Sequence, residues 1–258
     1  MEIPKYLITD AILHIAKGNS KIGKTIYAFS TLPGNEEHML RAKGELLTSI
    51  PGTCTKHCEA CFNNCYAVNS VRLHHNACIK AWGENTLLLR SGNLEQALDE
   101  YISAQNKKKT KITLFRINVS GEIRDEKDLE IWDNVARKHP EVQFGIYTKN
   151  FEALDKFMET HGDSAPNFVI NISQWHGVAD EIIAKYKGKL NVFEYDDSNL
   201  KNNTFSEEDK ERLKSVPKCP AVTKQGHHAT SKDGTAITCD MCKRCYTKTG
   251  KATAVYAH

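Results

Sequence analysis

Four cysteines within twelve residues constrain this chain more than any other feature. They are Cys54, Cys58, Cys61 and Cys65. Such short spacing lets one loop turn several sulfur atoms toward a common centre, which is typical of a metal site rather than of core packing. Soft thiolate sulfur selects zinc or an iron–sulfur cluster. The segment therefore predicts a metal centre that holds either zinc or an iron–sulfur cluster.

The overall composition favours reduced cysteines. The chain has 258 residues, 40% hydrophobic and 26% charged, which is ordinary for a globular protein. Its net charge of +3 permits contact with nucleic acid but does not argue for it. No apolar run reaches the ~18 residues of a membrane span, and the start of the sequence lacks signal-peptide features. We therefore expect a cytoplasmic protein without membrane contact, whose nine cysteines serve metal binding rather than disulfides.

Predicted strands and helices alternate after the cysteine loop. The strands are expected at 112–119, 142–147, 168–172 and 190–195, with helices near 94–102, 128–138, 151–158 and 178–186. This alternation gives right-handed crossovers and a parallel sheet, open or curled toward a barrel. The predicted fold class is therefore α/β. We expect an N-terminal extension at 1–45, a core at 46–198 and a small cysteine-rich C-terminal segment at 199–258.

A second group of four cysteines lies in the C-terminal segment. Its members are Cys219, Cys239, Cys242 and Cys245. Four thiolates can complete a tetrahedral zinc site or a fully ligated cluster. His227 and His228 lie between the first two cysteines and are alternative ligands. The ninth cysteine, Cys78, is predicted to be a core residue.

Polar residues follow the predicted strands of the core. They are Ser120, Gly121, Glu122, Thr148, Ser173 and Glu194. Because ligands bind at the carboxyl ends of parallel strands, these residues are expected to form one polar rim that faces the cysteine loop. Singly, each also fits a helix cap or a loop position.

The string Gly18 to Thr25 matches the phosphate-binding pattern G-x4-G-K-[ST]. A working phosphate loop needs a helix directly after it, because the helix N-terminus faces the phosphate. Here the following residues read as a short strand that ends at Pro33-Gly34. The string is therefore predicted to be a hairpin or loop.

The first cysteine group resembles the C-x3-C-x2-C motif of the radical S-adenosylmethionine (SAM) superfamily, with Cys54, Cys58 and Cys61 in the three positions. The resemblance implies a [4Fe-4S] cluster held by three thiolates, a fourth iron open to SAM, and a parallel sheet curled into a partial (β/α) barrel. Two features depart from the motif. Ala60 stands where an aromatic residue is usual, and Cys65 could close the open iron.

The polar residues after the strands extend this resemblance over about residues 46–196. Ser120-Gly121-Glu122 is similar to the Gly-Gly-Glu segment that binds the SAM amino group in the superfamily. The resemblance implies SAM contacts from all six positions: Ser120, Gly121, Glu122, Thr148, Ser173 and Glu194. The C-terminal cysteines look like the auxiliary-cluster domain that many of these enzymes carry.

The chain also resembles a phage family known as gene product eighty-eight. The similar segments are Gly18–Lys21, Phe29–Pro33, Cys65–Ala67, Cys219–Ala221 and the trio Cys239, Cys242 and Cys245. This resemblance implies a phage or prophage origin, and hence the cytoplasm of a bacterial host. It strengthens the iron–sulfur interpretation, but it makes Cys61 and Cys65 regular members of the site and Cys58 an addition.

Two functions follow. The first is an iron–sulfur enzyme that cleaves SAM to a 5'-deoxyadenosyl radical for an unknown substrate. The alternative is a non-catalytic phage protein with two four-cysteine sites, holding iron–sulfur clusters or zinc, that binds a host protein or nucleic acid.

Overall fold

In this computed structural model, the described residues are 11–18, 22–34, 37–42, 45–56, 61, 65–175, 178–196, 198, 206–223 and 228–256. The strands are β1 (Ala16–Lys17), β2 (Ile26–Ala28), β3 (Glu37–Ala42), β4 (Glu45–Pro51), β5 (Leu114–Ile117), β6 (Gln143–Thr148), β7 (Phe168–Gln174), β8 (Asn191–Asp196) and β9 (Ala252–Tyr256). The α-helices are α1 (Tyr66–Leu73), α2 (His75–Ser91), α3 (Leu94–Asn106), α4 (Glu126–Lys138), α5 (Phe151–His161), α6 (Asp180–Lys185), α7 (Glu207–Lys214) and α8 (Cys239–Cys242). A short 3-10 helix follows at Arg244–Tyr246.

Seven strands form one sheet in the order β1-β2-β5-β6-β7-β8-β9, and β3 pairs with β4 in a separate hairpin. All neighbours in the large sheet are parallel except β1 and β2. Because the strand order never reverses, right-handed crossovers place the connecting helices on one face. The predicted α/β class and its parallel sheet are confirmed.

The helix-facing side of the sheet is an apolar core centred on Trp132 of α4. Its ring lies 5.1 Å from the ring of Phe29 and 5.8 Å from that of Phe115, between ring centroids. Side chains alternate between the two faces of a strand. Phe115 and Ile117 therefore face the helices, while Arg116 faces the other side, which we call the open face.

Local capping explains where several helices begin. The side chain of Asp125 accepts a hydrogen bond from the Asp128 amide at the start of α4, and Asn150 does the same for α5. A capping box between Ser206 and Asp209 begins α7. Side chains of this type satisfy amide groups that the first helical turn leaves unpaired.

All three predicted segments contribute strands to the large sheet. Residues 1–45 supply β1 and β2, and residues 199–258 supply β9, so both join the sheet of the core. The sequence pattern does not predict β9, because it is short and its two alanines have little strand preference. It pairs with β8 through Val192 and Ala252.

Candidate functional site

The C-terminal segment crosses the open face of the sheet. The Asn171 side-chain amide donates to the Cys245 carbonyl at 3.1 Å, and that of Asn191 donates to the Thr247 carbonyl at 3.0 Å. Gly145 permits this close approach, since a Cβ there would lie 2.8 Å from the Cys245 carbonyl oxygen. Strand side chains thus hold the second cysteine group against the sheet.

All four cysteines of the second group line one pocket on this face. They are Cys219, Cys239, Cys242 and Cys245. The opposite wall comes from the strands, through Arg116 of β5, Tyr147 of β6 and Thr253 of β9. The backbone brings the last three cysteines to the same pocket. Cys239 and Cys242 are the first and last residues of α8, and Lys243, with φ of 55°, ends this helix and turns the chain toward Cys245.

Burial favours the protonated form of the Cys219, Cys239 and Cys245 thiols in the absence of metal. Burial raises the pKa of Cys245 to about 12, against the smaller opposing effect of a hydrogen bond with the Tyr147 hydroxyl. Burial likewise raises the pKa of Cys239 to about 11, and it raises the pKa of Cys219. Metal binding at this pocket therefore has to displace protons.

A loop from the N-terminal hairpin holds α8 in place. The Asp240 amide donates to the Ile22 carbonyl at 3.2 Å, and the Thr25 hydroxyl donates to the Asp240 carboxylate at 2.8 Å. Gly23, with φ of 101°, leaves the space that this carboxylate fills. The phosphate-loop string, whose residues 19–21 lie outside the described residues, therefore falls between the paired strands of a hairpin, as predicted: β2, and not a helix, follows it.

Two neighbouring substitutions in this loop should behave differently. Gly23→Ala would place a Cβ 2.0 Å from the Asp240 side chain at a positive φ, and is expected to cost about 1–3 kcal/mol of stability. Lys24 is exposed, so Lys24→Ala should change stability by less than about 0.5 kcal/mol. Urea unfolding of both variants measures the difference. Equal stability of the two variants would contradict the close approach of Asp240 to Gly23. Loss of ATP binding in Lys24→Ala would contradict the interpretation of this string as a hairpin.

The first cysteine group lies at the carboxyl end of the sheet. The Cys54 amide donates to the Gly34 carbonyl at 2.9 Å. Burial raises the pKa of the Cys54 thiol to about 12, and Glu122, Cys65 and Cys61 add to this through their nearby charges. Cys61 and Cys65 thus each lie within electrostatic reach of Cys54, whereas Cys58 is outside the described residues.

The loop after β5 is pressed against the cysteine loop. The Glu122 amide donates to the Thr53 hydroxyl at 2.9 Å, and the Ser120 hydroxyl donates to the Thr31 carbonyl at 2.9 Å. Gly121 has φ of 84°, and a Cβ there would lie 1.9 Å from the Thr31 hydroxyl oxygen. The small residue in the middle of Ser120-Gly121-Glu122 is thus a steric requirement.

The Glu122 carboxylate is buried beside this contact. The Ile123 and Lys149 amides each donate to one of its oxygens at 2.8 Å. Burial raises its pKa, against the lowering effects of the Lys149 charge and of these hydrogen bonds and one from Thr148. The structure thus brings Ser120, Gly121, Glu122 and Thr148 together near Cys54.

The other two predicted rim residues lie elsewhere. Ser173 is buried and shares the open face with Asn171 by strand alternation. Glu194 faces the opposite side and pairs with Arg212 of α7, with 2.5 Å between the charged groups. The prediction that all six polar residues form one rim facing the cysteine loop is therefore wrong for Glu194.

Sequence reasoning missed Arg116, Asn118 and Tyr66. Arg116 has a recognisable signal, since it is the only charged residue in the apolar run from Ile112 to Val119. Asn118 takes a left-handed φ of 50° that directs the chain into the Glu122 loop, a conformation asparagine tolerates better than most residues. The Tyr66 hydroxyl donates to the Val119 carbonyl, which ties α1 to the end of β5.

Ligation by these cysteines stays a prediction. Within the described ranges, no group of three or more His, Cys, Asp or Glu side chains is arranged so that it could hold a metal ion. The seven described cysteines of the two groups nevertheless supply the soft sulfur donors that iron–sulfur clusters and zinc require. The donor set fits such a centre.

These features define a cysteine-rich α/β protein with two thiol groups at one parallel sheet. The chain belongs to the Gene product 88 family, whose model matches residues 13–248. The resemblance to that family is confirmed, while the comparisons give no support to the resemblance to radical SAM enzymes. No curated protein and no solved structure matches the chain. Among the described helices, none is long and apolar enough to cross a membrane.

Proposed function

We propose that this chain is an iron–sulfur protein that binds SAM at its first cysteine group and cleaves it in the manner of radical SAM enzymes. The order of elements supports the proposal. The cysteine loop lies between β2 and β5, the first two parallel strands, and the Glu122 loop follows β5. The resemblance described above places a cluster loop and a carboxylate segment at the same points of a partial barrel.

The observation that carries the proposal is the contact between these two loops. The hydroxyl of Thr53, next to Cys54, accepts a hydrogen bond from the Glu122 amide. The charge of Glu122 also raises the pKa of the Cys54 thiol. Cys54, Cys58 and Cys61 would hold the cluster, and Glu122 would take the SAM ammonium group. The Ile123 and Lys149 amides and the Thr148 hydroxyl fix the Glu122 carboxylate, and they leave one of its four lone pairs for a further donor.

An ammonium group suits this carboxylate electrostatically. Burial favours the protonated form of Glu122, against the opposing charge of Lys149. A positive group brought beside it favours the ionised form and gains a charge-assisted hydrogen bond. Ser120, Gly121 and Thr148 would keep the loop closed around it. Ser173 stays a proposed SAM contact from the open face, whereas Glu194 is already paired with Arg212.

A cluster held by Cys54, Cys58 and Cys61, and reduced by an external one-electron donor, would supply one-electron cleavage of SAM to methionine and a 5'-deoxyadenosyl radical that would take a hydrogen atom from the substrate. The protein's own tasks are to orient the sulfonium and to exclude water. The second cysteine group would hold a further cluster, or zinc as the alternative.

The proposal is tested on protein reconstituted under anaerobic conditions. We expect about eight irons and eight sulfides per chain. On addition of dithionite and SAM, we expect 5'-deoxyadenosine and methionine in equal amounts. Glu122→Gln should weaken SAM binding by ~1.5–3 kcal/mol, while leaving the iron content unchanged. Iron-loaded, reduced protein whose spectrum does not respond to excess SAM, and which leaves SAM intact, would end the enzyme proposal.

One observation favours the second candidate, a non-catalytic protein with two four-cysteine sites that binds a host protein or nucleic acid. Cys65 lies within the electrostatic reach of Cys54, so it is placed to act as a fourth ligand. Cys65→Ala separates the two functions. If three thiolates hold the cluster, the variant keeps its iron and its response to SAM; if Cys65 is a ligand, the variant loses iron.

A further inference from the structure

We propose that Arg116 supplies a fixed positive charge that partly balances a dianionic, four-thiolate metal centre in the pocket of the second cysteine group. This inference rests on the metal centre proposed above and assigns a role to a residue outside its ligands. It makes Arg116 a positioning residue that stabilises the loaded centre and sets its electron affinity.

The first support is the position of Arg116. Its side chain projects from the open face of β5 and lines the same pocket as Cys219, Cys239, Cys242 and Cys245. The guanidinium carbon lies 5.0 Å from the centroid of the Tyr147 ring, which holds it against the pocket wall. Tyr147 also contacts the Cys245 thiol through its hydroxyl group. The cation and this hydroxyl thus face the thiols from the same side.

The second support is that no described carboxylate pairs with Arg116. Among the described residues, Arg116 takes part in no ion pair, and its Nε atom is shielded from solvent without a hydrogen-bond partner. By contrast, Arg124 pairs with Asp128 at 2.6 Å, and Arg137 pairs with Asp133 at 2.7 Å. Burying a cation without a counter-charge raises the free energy of the folded state. The structure therefore leaves a place for negative charge beside Arg116.

The third support is the charge of the loaded pocket. Four thiolates around Zn²⁺, or around a [4Fe-4S] cluster in its oxidised 2+ state, leave a net charge of about −2. Arginine keeps its proton at every relevant pH, so it provides a constant opposite charge. With either occupant, the centre supplies the anion that Arg116 lacks, and Arg116 lowers the cost of burying that anion. Its positive charge also favours addition of an electron to a cluster.

The test compares Arg116→Gln, Arg116→Lys and the control Arg137→Gln in full-length Cys54→Ala protein, where only the second cysteine group should hold metal. Iron, sulfide and zinc per chain are measured after reconstitution and again after a fixed challenge with the chelator EDTA. For an iron-loaded centre, the midpoint potential is measured by a titration followed with electron paramagnetic resonance. The metal found identifies the occupant.

We expect Arg116→Gln to lose metal several-fold faster than its parent and to show a lower midpoint potential, because reduction then adds charge to an unbalanced anion. Arg116→Lys should recover most of both properties, and Arg137→Gln should match the parent. If Arg116→Gln folds poorly, recovery by Arg116→Lys still supports a role for charge, and equal loss in both variants contradicts it. Equal retention and potential in Arg116→Gln and the parent would overturn the inference. A parent that binds no metal would instead overturn the proposed centre itself.

Discussion

Replacing Cys54 with alanine is expected to reduce the iron content from about eight to about four atoms per chain and to lower SAM cleavage more than ~100-fold. Cys54 is held in place by its surroundings, since its amide donates to the Gly34 carbonyl and the hydroxyl of its neighbour Thr53 accepts a hydrogen bond from the Glu122 loop. Removing a ligand should cost more than the 10–100-fold typical of residues that merely support one. Iron analysis and 5'-deoxyadenosine formation measure the two effects.

Cys78 provides the matched control for this substitution. It is half-buried on α2, where its thiol contacts the Ser70 carbonyl at 3.7 Å, and it packs against Val71 and Ile79. Cys78→Ala should therefore keep the full iron content and lose no more than about 1 kcal/mol of stability. Unchanged iron in Cys54→Ala, or iron loss in Cys78→Ala, would show that the cysteines have been grouped wrongly.

Gly145→Val should displace the C-terminal segment from the sheet. A Cβ at this position would lie 2.8 Å from the Cys245 carbonyl oxygen and 3.0 Å from the Tyr246 ring, and backbone atoms cannot yield as a side chain can. We expect a loss of about 1–3 kcal/mol in unfolding free energy from this overpacking. Because Cys245 moves with its carbonyl, metal retention at the second cysteine group should fall as well.

The control for this variant is Gln143→Val, two residues earlier on the same face of β6. Its side chain already projects from the strand, so valine there adds no new contact with the C-terminal segment. It should be stable and should load metal as the parent does. If Gly145→Val also retained its stability and its metal, the docking of Cys245 against the sheet would be incorrect.

The sequence was sufficient to predict the helices and strands between residues 94 and 196. Their apolar positions recur at one clear period, and packing on the sheet agrees with that period. Before this region, α1 and α2 are separated at His74, whose φ of −126° interrupts the helical backbone. β9 carries no comparable pattern, because its partner β8 and not its own composition makes it a strand.

The candidate site was only partly predictable for a related reason. Grouping polar residues at strand ends ignores the alternation of side chains, which sends neighbouring positions to opposite faces. Gln174 and Glu194 lie opposite one another in register, and both face the helices. Arg116 escaped notice because its importance depends on cysteines more than a hundred residues away in the sequence.

The pocket of the second cysteine group joins strands from the middle of the chain to residues 219–253, and this has a consequence for biosynthesis. While the ribosome is still producing those residues, the open face of the nascent sheet and the Arg116 cation have no cover. The thiols of residues 54–65 are already outside and available to a metal donor at that stage. We therefore expect the two proposed centres to be filled in sequence, the first before the second, whose ligands are complete only when residues 219–245 have been synthesised.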